Sequence, residues 1–359
     1  MRLFTQYTAI DIGTASIKAV QLEHANGNAG YRPASIVCEA VPDGMIGGGF
    51  TNPVIGAVGK FRDLLRTVFA KIRHGREGCI VGLPDRWVKL NLFDITLKPG
   101  ESDLREFLEH RMKRDLKVPS NLDVAVDYQL LSTEKIPEGT SHRYLVGMVS
   151  RGMLDTLSEV LAELKVQVMA FDTSSLGIYN VFEGLHPENA IDRHIMMCHV
   201  GHETTVVKCF QNGILRYERV IEVAGSEFAR HCMDIHQYTI QDAEEFLKKT
   251  VFFPSDKEGI LAMYPKRNDI ARIFGNWLRE LNVTFRFYQE KFKIQKLPRV
   301  YLTGGSCLFS GLTEFLSDYF GTPVERFNPL AELPGVGTLE PSILSLGPRY
   351  APCIGLLVE

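Results

Sequence analysis

The chain has 359 residues, 45% of them hydrophobic and 23% charged, the balance of a folded protein rather than a disordered one. Its length exceeds the roughly 100 to 200 residues of one domain, so two lobes are expected. Lys and Arg number 40 against 43 Asp and Glu, a net charge of −3, which lacks the basic bias that duplex nucleic acid demands.

No apolar run reaches the roughly 18 to 20 residues of a membrane helix. The N-terminal stretch carries Asp11, alternates like a strand and lacks the apolar core of a secretory signal. Seven cysteines, odd in number and scattered through mostly apolar segments, suit a reducing cytoplasm.

Taken in order, residues 5–23 predict two strands around a turn at Ile12-Gly13-Thr14, from period-two alternation broken by glycine. Residues 42–53 are rich in Gly and Pro and predict a loop. Asn52 and Pro53 then predict a helix start, with apolar residues at helical spacing from Val54 to Ile72 and a stop at Gly75 and Gly78. The buried strand CIVGLP follows. Residues 85–165 predict a small α+β unit. It comprises a strand at WVKLNLFDI, a helix opened by Ser102 with Leu104, Phe107, Leu108 and Leu116 inward, strands DVAVDYQLL and YLVGMVS, and the helix MLDTLSEVLAELK. The polar stretch TEKIPEGTSH between its strands predicts a loop.

A strand at 166–172 and a helix capped by Ser174 come next. From 194 the strand–glycine turn–strand pattern returns, with Asn212-Gly213 as a hairpin signal before ILRYERVIE, which suggests internal duplication. Residues 226–295 predict helices interrupted near Pro254, Ser255 and Asp256. A buried strand RVYLTGG, a helix at 310–320 stopped by Gly321, and the apolar tail APCIGLLVE complete the chain.

Three glycine turns carry the chemistry. In the first, Asp11-Ile12-Gly13-Thr14 with Ser16 and Lys18, backbone N–H groups and hydroxyls can cradle phosphate oxygens, with Lys18 as a point charge. Asp11 suits a hydrated Mg²⁺ beside the phosphates. The second is Val200-Gly201-His202-Glu203-Thr204-Thr205, and the third is Leu302-Thr303-Gly304-Gly305-Ser306. Each alone is more often only a tight turn; their order along one chain is the stronger signal.

This series resembles the actin-like ATPase superfamily, an α/β fold of two lobes (ribonuclease H-like) shared by actin, sugar kinases, Hsp70 and FtsA. AIDIGTASIKAVQL at 9–22 is similar to the first phosphate hairpin, residues 196–213 to the second, and 300–305 to the adenosine turn. Ala243-Glu244-Glu245-Phe246-Leu247-Lys248 resembles the helical element whose Glu and Lys lie near ribose and base. Within the superfamily the chain looks most like the type IV pilus assembly PilM family. The segments carrying that likeness are Pro42-Asp43-Gly44 with Gly47-Gly48, Leu97-Lys98-Pro99, Asp127-Tyr128-Gln129-Leu130 and Phe327-Asn328-Pro329. FtsA-like proteins continue into a C-terminal membrane helix; here Glu359 is expected to close the last core element.

The resemblance implies ATP with Mg²⁺ as cofactors and a nucleotide site formed by Asp11, Gly13, Thr14, Ser16, Lys18, Gly201, Thr204, Glu244, Lys248, Gly304, Gly305 and Ser306. It also implies a cytoplasmic scaffold, peripheral to the inner membrane, that docks the N-terminal peptide of a PilN-like inner-membrane protein between its first lobe and the inserted unit. Self-association is a further implied property. The expected organisation is a first lobe at 1–190 holding the insert at about 85–165, a second lobe at 191–345 with a helical subdomain at about 226–295, and a return segment at 346–359. One departure stands out. The second hairpin carries His199 where the superfamily has a carboxylate two positions before its glycine, so ATP binding is expected with weak or absent hydrolysis.

The alternatives are an FtsA-like filament-forming ATPase and, ranked below it, a sugar or acid kinase, for which no further acidic motif is visible. His194, Cys198, His199 and His202 fit no standard zinc spacing, and buried or edge positions are the default for them. The basic run His110 to Arg114 reads as a solvated helix face. Trp87 and Phe93 read as core, with an apolar peptide groove as the sharper option.

Overall fold

The computed structural model describes residues 3–5, 7–24, 30–72, 78–96, 104–137, 139–190, 194–250, 253, 268–296, 298–333 and 339–358. Gly75, Leu97 to Ser102 and Pro254 to Asp256 lie outside them. Fifteen strands are named: β1 Thr8–Ile12, β2 Ser16–His24, β3 Tyr31–Ala40, β4 Ile46–Gly47, β5 Val54–Ile55, β6 Cys79–Leu83, β7 Val88–Thr96, β8 Val124–Ile136, β9 Gly139–Ser150, β10 Val168–Thr173, β11 His194–Val200, β12 Thr205–Gln211, β13 Ile214–Ile221, β14 Val300–Thr303 and β15 Val324–Arg326.

Two five-stranded sheets share one plan. The first runs β3-β2-β1-β6-β10 and the second β13-β12-β11-β14-β15. In each, an antiparallel three-strand meander is extended by two strands parallel to its first member. The turns at Gly13 and Gly201 therefore occupy equivalent places, the ends of β1 and β11, as the suggested duplication requires. Asn212 and Gly213 both take positive φ, 53° and 76°, the primed turn that their pairing predicts. The strand β3 falls where no element is expected from the sequence. Its Pro33 lacks a ladder donor and is tolerated because β3 is an edge strand.

Burial follows from the patterns. The strand β6 is buried at all five positions because both faces of its sheet are covered. One face meets the helices Val58–Ala70 and Arg151–Glu163 through Phe61, Leu65, Leu157 and Val160. On the other side, the helices Ile178–Leu185 and Ala351–Leu356 lie in one core with Ile195, Met197 and Phe210 of the second sheet. Phe182 in that core is fully buried, a contribution of roughly 1.5–3 kcal/mol relative to exposure. The second sheet has its own core, roofed by the helices Gly225–His236, Ile240–Lys249, Asn268–Phe292 and Leu312–Phe320.

The three-stranded sheet β7-β9-β8 and the helix Leu104–Asp115 form a further core around Phe93, Leu108, Met112 and Val146. Four local expectations change here and nearby. The polar stretch 133–142 is no loop: β8 and β9 continue as a hairpin to Ile136 opposite Gly139. Its residues pair across the strands, as where Thr133 Oγ1 lies 3.1 Å from His142 Nδ1, so polarity there reports solvent on both faces. Phe107 points outward at 46% exposure, because Leu108 and Met112, one turn apart, already fill the sheet-facing stripe. The first helix starts at Val58 rather than after Asn52, because Val54 and Ile55 pair with Gly47 and Ile46. Asn52 instead accepts from the Gly49 N–H at 3.2 Å. Ser174 caps no helix; the next one starts at Ile178.

Trp87 and Phe93 are both buried but in different cores, so together they line no groove. Among the described residues, no helix is long and apolar enough to cross a membrane.

Candidate functional site

The strand β1 ends at Asp11 and Ile12, and the turn closes where Gly13 N–H donates to Ser16 O at 3.1 Å. The β1–β2 register sets Asp11 directly opposite Lys18, which explains why residues seven apart meet. Lys18 Nζ donates to Asp11 Oδ2 at 2.7 Å, with both side chains largely buried. Burial pulls the Lys18 pKa down, but the Asp11 carboxylate outweighs it and leaves the ammonium above its ordinary value. Ser174, just past β10, donates to Asp11 Oδ1 at 2.5 Å.

The second turn repeats the geometry, with Gly201 N–H donating to Thr204 O at 2.9 Å. His199 precedes it. Burial pushes its imidazole below the ordinary value, opposed by Asp85 and Asp11, so it is neutral at pH 7. Its Nδ1 is buried without a hydrogen-bond partner among the described residues. Strand alternation places Cys198 in the core of the second sheet, and His194 lies against Tyr288 at 2.7 Å, so these residues do not converge with His199 and His202.

The third turn is welded to the second. Ser306 Oγ donates to Gly201 O at 2.7 Å, and Gly304 N–H donates to Pro348 O at 3.0 Å. Gly304 has φ 93°, and a Cβ there would lie 2.4 Å from Val200 O, so this position excludes every side chain. Glu244 reaches the same place from the helix Ile240–Lys249, whose start is fixed by Thr239 accepting from Asp242 N–H at 3.2 Å. Glu244 lies 3.3 Å from His202 Nδ1 and accepts from Lys248 at 3.2 Å. Burial raises the Glu244 pKa, but these two neighbours prevail and hold it at about 2.

All three turns open into one cleft of about 340 Å³, within the range of small-molecule sites. It lies beyond the carboxyl ends of the parallel strands of both sheets, where such folds place ligands. Asp11, Gly13, Thr14, Ser16, Lys18, Gly201, Thr204, Glu244, Gly305 and Ser306 line it. Lys248 and Gly304 stand behind the wall, Lys248 through Glu244 and Gly304 through its backbone bond to Pro348.

The lining also holds residues absent from the sequence-based set: Asp85, Arg86, Ser174, Glu203 and Arg349. Asp85 accepts at one oxygen from Thr173 Oγ1 at 2.6 Å and from Ser175 Oγ and N–H at 2.5 and 3.2 Å. Arg86 forms an ion pair with Glu203 across the cleft. Asp85 and Arg86 follow β6, which runs parallel to β1, so their place at the cleft was readable from topology. Arg349 had no local signal.

Two glycine-turned sheets closing on a polar cleft make up an actin-like fold. The sequence model for the type IV pilus assembly protein PilM matches residues 9–358, and the chain belongs to that family, whose members act in type IV pilus assembly. The solved PilM-PilN type IV pilus biogenesis complex is similar in structure, with a TM-score of 0.79 at 20% identity over 98% of this chain and 97% of that one. The ethanolamine utilization protein EutJ from Carboxydothermus hydrogenoformans gives 0.51 at 12% identity over 98% and 89%. No curated protein sequence matches the chain.

Proposed function

We propose that this protein is a nucleotide-binding scaffold of type IV pilus assembly, which binds ATP with Mg²⁺ and docks the cytoplasmic N-terminal peptide of a PilN-like inner-membrane protein. The observation that carries the nucleotide reading is the convergence of the Gly13 and Gly201 turns, one from each sheet, on a single cleft. The residues present suit a triphosphate. Two turns offer backbone N–H groups and hydroxyls, Lys18 and Arg86 offer positive charge, and Asp11 would hold a hydrated cation through its water. A bound Mg²⁺ supplies charge neutralisation of the phosphates. Glu244 and the Gly304-Gly305 turn form the side where the nucleoside fits.

Hydrolysis is weak or absent on this reading. A general base needs a carboxylate free to accept a proton from water. Asp11 is occupied by Lys18 and Ser174, Asp85 by Thr173 and Ser175, and Glu244 by His202 and Lys248. The neutral imidazole of His199 occupies the remaining position beside the second turn. ATP then acts as a conformational ligand, favouring the state it binds best.

The peptide reading is supported by the similarity to the PilM-PilN complex. Its docking place is the junction of the first sheet with the inserted sheet β7-β9-β8, and it makes the protein cytoplasmic and peripheral to the inner membrane through its partner. The working division is a first lobe at 1–190 with its insert, a second lobe at 191–345 and a return segment at 346–359. Calorimetric titration tests both halves: Mg·ATP should bind, and a synthetic N-terminal PilN-like peptide should bind at one site. Tryptophan fluorescence offers a second readout, because Trp277 donates to Thr205 Oγ1 at 3.0 Å beside the second turn. Absence of heat and of fluorescence change with Mg·ATP would end the nucleotide reading.

A further inference from the structure

Arg86 follows directly on Pro84 and Asp85 at the end of β6, beside the strand that leads into the Gly13 turn. Its terminal nitrogen pairs with Glu203, which sits inside the Gly201 to Thr204 turn of the other sheet. One guanidinium thus reaches from one phosphate-type turn to the other. Both side chains line the cleft and are only partly exposed, 22% and 28%. Arg86 Nε is buried and has no hydrogen-bond partner among the described residues. A guanidinium carries five donors in a planar fork, and here one nitrogen is paired while another is orphaned inside a cleft.

A part-exposed ion pair is a weak holder of an arginine. A triphosphate carries more negative charge than one carboxylate and offers paired oxygens that engage the same fork bidentately. A carboxylate in the middle of a phosphate-type turn is also a poor neighbour for a polyphosphate unless its charge is covered. Lys18 differs, since its amine is tied to Asp11, a residue of the same hairpin. Arg86 is the cation whose partner lies on the opposite side of the cleft.

We propose that Arg86 is a ligand for the phosphate chain of a nucleoside triphosphate, kept in place by Glu203 in the unliganded protein. Binding exchanges the Glu203 carboxylate for phosphate oxygens and thereby releases an ion pair that ties the first turn's sheet to the second turn. This deepens the nucleotide reading and rests on it.

The test is calorimetry on the full chain with two probes, Mg·ATP and inorganic tripolyphosphate, for wild type, Arg86→Gln, Arg86→Lys and Glu203→Gln. Removing the competitor in Glu203→Gln should tighten both probes about tenfold, which corresponds to about 1.4 kcal/mol. Arg86→Gln should weaken both by a similar factor, and Arg86→Lys should fall between because it keeps charge without the fork. Arg86→Lys and Glu203→Gln keep the test valid if Arg86→Gln melts early. Weakening by Glu203→Gln and Arg86→Gln alike would show a mere structural clamp and overturn the proposal, as would indifference to both. If ATP binds no better than tripolyphosphate while the variants still act in opposite directions, the nucleoside reading fails and Arg86 as a polyphosphate ligand stands. If neither probe binds wild type or Glu203→Gln, both fall.

Discussion

Ser174 donates from Oγ to Asp11 Oδ1 at 2.5 Å, joining residues 163 positions apart. With Lys18 on the other oxygen, the Asp11 carboxylate is held at both ends. A hairpin residue is therefore aimed by the opposite edge of its own sheet, β10, through a hydroxyl that the local sequence assigns to a helix cap.

That arrangement fixes an order of stability losses. Asp11→Ala leaves the Lys18 ammonium buried without its partner and should cost about 3–5 kcal/mol. Ser174→Ala removes one hydrogen bond to a charged group and should cost about 1.5–3 kcal/mol. Denaturant unfolding of the two variants checks this. Equal losses would show that the unpaired Lys18 ammonium carries no buried-charge cost.

Turnover should be at background. Phosphate release by pure protein with Mg·ATP is the measurement. The neutral His199 leads to that result, as do the partners that hold Asp11, Asp85 and Glu244. Brisk release abolished by Asp11→Ala would overturn it.

Gly177 and Gly355 touch where the helices Ile178–Leu185 and Ala351–Leu356 meet. A Cβ on Gly177 would lie 2.6 Å from the Gly355 backbone, and a Cβ on Gly355 would lie 2.4 Å from that of Gly177. Backbone cannot rotate aside as a side chain can. Either Ala substitution should cost about 3 kcal/mol, the upper end for overpacking. The double variant should lose less than the sum, because both methyls disrupt one contact. Strict additivity in chemical unfolding would contradict this packing.

Glu244 gives a pH signature. Its folded pKa of about 2 lies below the ordinary 4.5, so the stabilisation it provides is fully present above about pH 4.5. It is lost as pH falls towards 2. Glu244→Gln should therefore be less stable than wild type at pH 7, and the gap should close between pH 4.5 and 2. A gap constant across that window would show that the carboxylate is not held by His202 and Lys248.

Much of the site was legible because its parts are local. A glycine in a strand–turn–strand pattern, with Asp11 and Lys18 at hairpin spacing, states its own geometry, as does Asn212-Gly213. The helix carrying Glu244 is legible in the resemblance of Ala243 to Lys248. The hairpin at 133–142 was misread because local polarity cannot separate a loop from strands wet on both faces. The true helix start at Val58 was missed because pairing of Ile46 with Ile55 is a contact between segments, and it overrides helical spacing.

The amino-acid order alone determined the two glycine hairpins, the third glycine turn and the departure at His199, since each depends on neighbours within a few residues. Tertiary structure decided what surrounds them: Ser174 on Asp11, Asp85 beneath Thr173 and Ser175, and Arg86 reaching Glu203 across the cleft. Those partners come together only when two sheets built on the same plan face each other, and no period or spacing along a chain encodes the distance between separately folded segments.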